Sequence, residues 1–406
     1  MRTVAEPAFC RICTPALYAP ANLGAQELLV GGGRILAIGP DLATAAQALG
    51  ARDIDAPGRV MPGLIDQHMH FIGGGDGDGP LARMPELSFT DIASAGITTA
   101  VGLLGSEVEA KNLNQLLRKA NELDRLGLTT FIYTGSMQLP APFLTSSIRS
   151  DIVLIDKVVG AKSAIAERIF PNLDFPALAA LAGELLQAKA NSGKASLLHL
   201  HVGRLKTGLE PLFELMEKLD FPASMAVPTH INRSPAVTPL FEHGIRLAKA
   251  GGTIDFTCCL GPLDNLPVGL DPVAAVKRAL DAGVAIENIT LSGDSGVAVP
   301  DGAGGMCAVA PSILFRDVRR LVHEGRLSWD MALLPTTVNP ARVLGLSGRK
   351  GVIAAGADAD LLFLDADDRI AAVMAGGRFV HGQTNLNPYG EAAAGGGISI
   401  RPKQTP

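Results

Sequence analysis

Two histidines one residue apart, His68 and His70, end an apolar run that begins at Val60. Side chains alternate along a strand, so residues two apart project from one face. Met69 then points away, and two imidazoles stand together at a strand end. Neutral imidazole pairs of this kind hold zinc and its neighbours. Ordinary polar residues at a turn have the same spelling, so the rest of the chain must decide. Other metal-capable side chains end strand-like runs further on. Lys162 closes Val158-Val159-Gly160-Ala161-Lys162, His201 closes Leu198-His199-Leu200-His201, His230 follows Pro228-Thr229, and Asp294 follows Leu291-Ser292-Gly293. Four of the eight histidines fall at such ends, more than scatter would place there. Each has a plainer reading. His199 or His201 is a satisfied core residue, His230 a strand cap, Asp294 a turn aspartate. Lys162 is the oddest, because a lysine in an apolar strand needs a partner or must lose its charge. Reaction of its neutral amine with carbon dioxide would give a carbamate, an anion able to bridge two cations.

These side chains need a scaffold that brings strand ends together. Strand-like runs occur near 60–68, 97–103, 129–135, 157–163, 196–202, 225–230, 253–257 and 289–294. Helical patterns lie between most of them. The clearest is Glu109 to Gly127, with Leu113, Leu116, Leu117, Ala120 and Leu123 at helical spacing and Gly127 as C-cap. Others cover 177–190, 208–219, 239–250 and 272–282. Eight strands alternating with helices predict an α/β fold, a (β/α)8 TIM-like barrel, whose active site lies at the C-terminal strand ends. An open doubly wound sheet is the alternative. It wants a glycine-rich phosphate loop opening a helix, and Gly73-Gly74-Gly75 leads into no obvious helix.

Both chain ends read as β-structure. Leu28-Leu29-Val30 and Arg34 to Ile38 flank a Gly31-Gly32-Gly33 turn, a hairpin signal. Runs at 360–364, 370–375 and 378–380 have the same texture. Neither end carries enough apolar surface to fold alone. The expected division is therefore one small β-sandwich domain from residues 1–59 and 348–390, a barrel over 60–347, and an irregular tail over 391–406. A hydrophobic share of 47% across 406 residues supplies a core for a barrel of this size. A net charge of -5 gives no reason to expect a nucleic acid or an acidic membrane as partner. No run approaches the ~20 apolar residues of a membrane helix, and no secretory signal is recognisable. Five cysteines, with an isolated Cys10/Cys13 pair, do not form a disulfide framework, so a cytoplasmic location is the expectation.

The order HxH, Lys, His, His, Asp on successive strands resembles the ligand pattern of the binuclear amidohydrolase superfamily. The resemblance narrows to its β-aspartyl (isoaspartyl) dipeptidase branch through Ala16 to Pro20, Pro62 to His70 with Gly73-Gly74-Gly75, and Val101 to Gly105. Thr229 to Arg233, Gly251 to Asp255 and Ala357 to Leu361 carry it through nearly the whole chain. It implies two divalent metal ions, expected to be zinc. His68, His70 and Asp294 would hold one, His201 and His230 the other, and carboxylated Lys162 would bridge them. Asp294 would take a proton from the bridging hydroxide that attacks the amide, and pass it to the leaving amine. The implied partner is a small amide or dipeptide substrate, and the implied assembly a homo-oligomer, with an octamer as the family's example. Gly75, Ser106, Met137, Arg168, Arg233 and Ala298, together with Asp76 and Asp78, fall where that branch contacts its substrate.

Several of these positions depart from the branch. A glutamate that holds the substrate ammonium falls at Gly77, between Asp76 and Asp78. A tyrosine that donates to the oxyanion falls at Met137, an arginine at Ile169 beside Arg168, and a serine at Ala298. Methionine donates no hydrogen bond, and such a donor is worth ~3 kcal/mol. The leading expectation is a β-aspartyl dipeptidase. A sister amidohydrolase acting on an N-acyl amino acid or a cyclic imide or ureide is the first alternative. A non-catalytic scaffold on the same fold is the second.

Overall fold

The computed structural model describes residues 8–75, 79–236, 238–266 and 269–382. Asp76, Gly77 and Asp78, and the tail expected to be irregular, lie outside the described residues. Five strands come first: β1 (Phe9–Tyr18), β2 (Asn22–Gly31), β3 (Arg34–Gly39), β4 (Arg52–Asp55) and β5 (Arg59–Pro62). Eight parallel strands follow: β6 (Leu64–Met69), β7 (Ile97–Gly102), β8 (Thr129–Gly135), β9 (Val158–Ile165), β10 (Leu197–Val202), β11 (Ala226–Thr229), β12 (Ile254–Thr257) and β13 (Ile289–Ser292). These match the eight runs expected of a TIM-like barrel. Each is buried along nearly its whole length, as strands enclosed on both faces must be.

β6 to β11 form one parallel ladder in chain order, and β12 pairs with β13. Backbone bonds close the two seams. Ile231 donates to the Asp255 carbonyl at 3.2 Å across β11 and β12. At the other seam Asp294 donates to the His68 carbonyl at 3.1 Å, and His70 donates to the Ser295 carbonyl at 2.8 Å. Three expected metal-site residues thus also stitch the last strand of the ring to the first. The bonds that close the barrel there are made by the site residues' own backbone.

The stretch from Val60 to His70 is not a single strand. It breaks at Gly63, leaving β5 in the terminal sheet and β6 in the barrel. A Cβ at Gly63 would lie 2.4 Å from the Thr98 side chain, so only glycine lets the chain cross there. The first long barrel helix also starts later than its leucine pattern suggests. Asn112 caps Leu113–Leu126: its Oδ1 accepts from the Gln115 N–H at 3.1 Å, and the Gln115 Oε1 accepts from the Asn112 N–H at 3.1 Å. This reciprocal cap fixes the start, so residues 109–111 lie outside the helix. No helix among the described residues is long and apolar enough to cross a membrane.

The chain returns through β14 (Ala298–Pro300) and β15 (Met306–Ala308), a hairpin, and ends in β16 (Leu361–Leu364), β17 (Ile370–Ala375) and β18 (Arg378–Gly382). Both chain ends join in one sheet, ordered β18-β17-β16-β5-β1-β2-β3 with β4 alongside β1. The expected sandwich is therefore a single sheet in its hydrogen bonding. Ile12, Leu28, Ile35, Val60, Leu361 and Phe363 share one buried cluster, so neither end encloses its core without the other.

Lys350 fastens this sheet to the barrel at the N-terminal ends of the strands. Its Nζ donates to Asp360 at 2.6 Å and to Thr129 Oγ1 at 2.7 Å, lies 3.0 Å from Asp358, and is only 2% exposed. Removing one partner of a buried ion group leaves charge uncompensated, at about 3–5 kcal/mol. Lys350→Met is expected to lose that much stability in chemical denaturation while kcat stays unchanged. A lowered kcat at full occupancy of the folded state would show that the tie also shapes the distant site.

Candidate active site

The C-terminal strand ends open into a cavity of about 550 Å³ lined by His68, His70, Lys162, His201, His230 and Asp294. His68 and His70 both aim Nε2 at one oxygen, Asp294 Oδ1, at 3.2 and 3.1 Å. One ligand atom from each of the three lies within 4.8 Å of the others. Among the described residues no other set of three His, Cys, Asp or Glu converges in this way. Two imidazoles crowding one carboxylate oxygen are satisfied together by a cation between them, so the donor set fits a divalent metal. Beside it the His201 and His230 rings lie with centroids 4.6 Å apart, and His230 Nδ1 lies 3.9 Å from the second Asp294 oxygen. Asp294 thus faces both halves of the expected centre.

Backbone strain marks the same places. His230 and Asp294 have left-handed φ values of 64° and 54°, and Ala166, just past β9, has 55°. Non-glycine residues are costly there and cluster at functional sites. The His230 and Asp294 side chains line the cavity, whereas Ala166 does not. Close packing holds the strained backbone. A Cβ at Gly296, itself at φ 87°, would lie 2.6 Å from the His70 carbonyl.

Burial sets the charges. It pushes His68 down to about 3 and His201 to about 4, and holds His199 and His230 well below the usual range. These rings are neutral at pH 7, the form that ligates metals. Burial alone would raise Asp294. Its place beside the His68 ring and hydrogen bonds from His68 and His70 outweigh it and hold the carboxyl well below the usual range. Lys162 is 2% exposed, and its Nζ makes no hydrogen bond or ion pair with any described residue. Burial pushes its ammonium down to about 7, resisted by Asp294 and aided by Arg233.

A second ring of groups supports the first. His199 was open between core and ligand; its Nε2 lies 2.9 Å from His68 Nδ1, and it stacks on Tyr133. It therefore orients His68 from behind. Thr257 Oγ1 lies 2.8 Å from His230 Nδ1. Beneath them Asp255 accepts from Gln67, Thr229, Thr290 and Ser292 at 2.5–2.9 Å, so a fully buried carboxylate is satisfied four times over. Such support fixes ring orientation in metal sites.

The expected substrate contacts divide. Ser106, Met137, Arg168, Arg233 and Ala298 line the cavity. Gly75 does not line it, although its carbonyl accepts from the Ser106 hydroxyl. Asp76 and Asp78 lie outside the described residues. Ile169 lines the cavity but is 64% exposed. Among the lining residues that sequence reading missed, three carry reactive or charged groups: Glu167, Arg204 and the buried Cys259. Glu167 was recoverable, being the first carboxylate after β9. Arg204 carried no signal beyond following His201 by three positions. Cys258 and Cys259 are both buried, and among the described residues all five cysteines are free thiols.

Comparison with known proteins agrees with this geometry. Residues 59–380 match the Amidohydrolase family model. A β-aspartyl dipeptidase from Fervidobacterium islandicum AW-1 superposes with a TM-score of 0.83 at 33% identity, covering 92% of this chain and 97% of that one. The same enzyme in complex with β-Asp-Leu gives 0.82 at 34%, covering 91% and 96%. An imidazolonepropionase from Chloroflexus aggregans is 26% identical over 389 residues, covering 87% of this chain and 88% of the relative. An L-hydantoinase from Paenarthrobacter aurescens is 25% identical over 393 residues, covering 84% and 82%. With a family match over most of its length and a His-His-Asp group at the barrel mouth, the chain belongs to the amidohydrolase family and is a hydrolase.

Proposed function

We propose that this hydrolase cleaves the amide bond of a small substrate bearing a carboxylate, with a β-aspartyl dipeptide as first candidate. The observation that carries the reading is the convergence of His68 and His70 on Asp294 Oδ1. In this reading His68, His70 and Asp294 would hold one ion, His201 and His230 a second, and a carbamate on Lys162 would supply a further anionic ligand. Zinc is the metal assigned. Two such ions lower the pKa of water to ~7 and polarise a scissile carbonyl. Asp294, ionised and facing both halves, accepts the proton released from water and returns it to the leaving amine. His68, His201 and His230, pushed down by burial, do not compete for that proton.

Recognition rests on guanidinium groups. Arg168, Arg204 and Arg233 line the cavity from the ends of β9, β10 and β11. Arg168 and Arg204 are exposed, and their side chains pair with no described residue. A forked guanidinium suits a carboxylate. This favours an anionic substrate, which a β-aspartyl dipeptide is. By the family resemblance the protein acts as a homo-oligomer, which sedimentation would check.

The testing experiment is hydrolysis of β-Asp-Leu by zinc-loaded protein, with zinc per chain measured on the same sample. Turnover at about two ions per chain supports the dipeptidase. Two ions without turnover keep the hydrolase and discard that substrate. Met137 makes a sharper probe. The side chain lines the cavity and cannot donate to a developing oxyanion. A donor installed there is worth up to ~3 kcal/mol. Met137→Tyr is therefore expected to raise kcat on β-Asp-Leu by about 10- to 100-fold. An unchanged or lower kcat would mean that the oxyanion lies elsewhere.

A second reading has specific support. Met137, Ile169 and Ala298 supply none of the branch's donors, and two relatives are an imidazolonepropionase and an L-hydantoinase. Turnover of an N-acyl amino acid or a hydantoin, with none of β-Asp-Leu, would decide for a sister amidohydrolase.

A further inference from the structure

Glu167 is held more tightly than a residue on an active-site loop needs to be. Its backbone N–H donates to Asn172 Oδ1 at 2.9 Å, and Asn172 Nδ2 donates back to its carbonyl at 2.7 Å. Its Oε1 accepts from the Arg168 N–H at 2.6 Å. The left-handed Ala166 before it turns the side chain back over β10. There Oε2 lies 3.1 Å from His201 Nε2 and 3.8 Å from Arg233 Nη1. Space for this carboxylate exists because residue 203 is glycine. A Cβ on Gly203 would stand 2.6 Å from Glu167 Oε2 and 2.4 Å from the Ala166 carbonyl.

Such clamping has a chemical consequence. A carboxylate accepts but cannot donate, so the His201 nitrogen facing it carries the proton. The other nitrogen, Nδ1, is then left with its lone pair. Arg233 Nη1 lies 3.1 Å from the same Nε2, and two donors facing each other repel unless an acceptor lies between them. Glu167 is that acceptor. We propose that Glu167 is a positioning residue that fixes His201 as the Nε2–H tautomer, presenting Nδ1 to the second metal ion, and anchors Arg233 beside it. This rests on the two-ion reading above.

The test compares Glu167→Ala and Glu167→Gln with the wild type, all as full-length zinc-loaded protein. Each is dialysed against a chelator of graded strength, and zinc per chain is counted. Loss of a carboxylate behind a ligating histidine weakens metal binding by about 10- to 100-fold. Glu167→Ala is expected to release one ion at that much lower chelator strength and to keep the other as the wild type does. Glu167→Gln keeps an acceptor oxygen and is expected to keep both ions. Nitrogen-15 spectra of the metal-free proteins give a second readout: one His201 tautomer in the wild type and in Glu167→Gln, a mixture in Glu167→Ala. Should Glu167→Ala not fold, Glu167→Met keeps the stem, removes both acceptor oxygens and is read the same way.

Unchanged chelator resistance and a single tautomer in Glu167→Ala would overturn the proposal. So would loss of the second ion in Glu167→Gln, since charge alone would then be the cause. A wild type that binds fewer than two ions would instead overturn the two-ion reading beneath it.

Discussion

Asp294→Asn is expected to lower kcat on the order of a thousandfold to ten-thousandfold, the upper range for loss of a general acid–base group. The geometry explains why one side chain carries so much. Its Oδ1 is shared by His68 and His70, and its Oδ2 faces His230. Asparagine keeps the shape and one acceptor oxygen, but its amide cannot take up a proton. A turned amide would also present N–H groups to nitrogens that need an acceptor or a cation. KM should move little, because in the proposed reading the substrate carboxylate is bound by arginines at the ends of other strands. The measurement is steady-state kinetics together with zinc per chain. A fall below tenfold, at full metal content, would remove Asp294 from the proton path. A fall matched by complete loss of metal would make it a ligand only.

The barrel was legible because its strands announce themselves. Leu197 to Val202 or Ile289 to Ser292 are short apolar runs bounded by turn residues, and burial on both faces requires such runs. The metal-capable residues were legible for the same reason: a histidine or lysine inside an apolar strand has few structural excuses. What stayed hidden depends on backbone conformation rather than residue type. Nothing in Val60 to Ile65 announces that Gly63 passes the chain from one sheet to another, since the cause is Thr98, some thirty-five residues away. Glu167 reads as a loop carboxylate until Ala166 is seen in the left-handed region and Gly203 is seen to make room. His199 and His201 share a face, and only the positions of His68 and Glu167 separate their roles.

Lys162 gives the other large effect. Its amine is buried among the site residues without a hydrogen-bond partner among the described residues, and burial brings it to about 7, so much of it is neutral at physiological pH. A buried ammonium here would repel any cation bound beside Asp294. A neutral amine can attack carbon dioxide; a nitrogen–carbon bond forms, one proton leaves, and the product is an anion facing the same space. In the two-ion reading, the sign of the charge on this one side chain would decide whether the His201–His230 half holds an ion. Lys162→Met keeps the stem and removes the chemistry. Its expected effect is a kcat on the order of a thousandfold lower, because polarising the carbonyl at the second ion is worth several kcal/mol, with zinc falling from about two per chain to about one. Reconstitution separates the carbamate from a plain amine. Metal-free wild type given zinc in buffer stripped of carbon dioxide should regain little activity until bicarbonate is added, and Lys162→Met should not respond to bicarbonate at all. Full reactivation without bicarbonate would mean that the unmodified lysine suffices. The second ion would then need a different anionic ligand, and among the described carboxylates Glu167 and Asp294 are those lining the cavity.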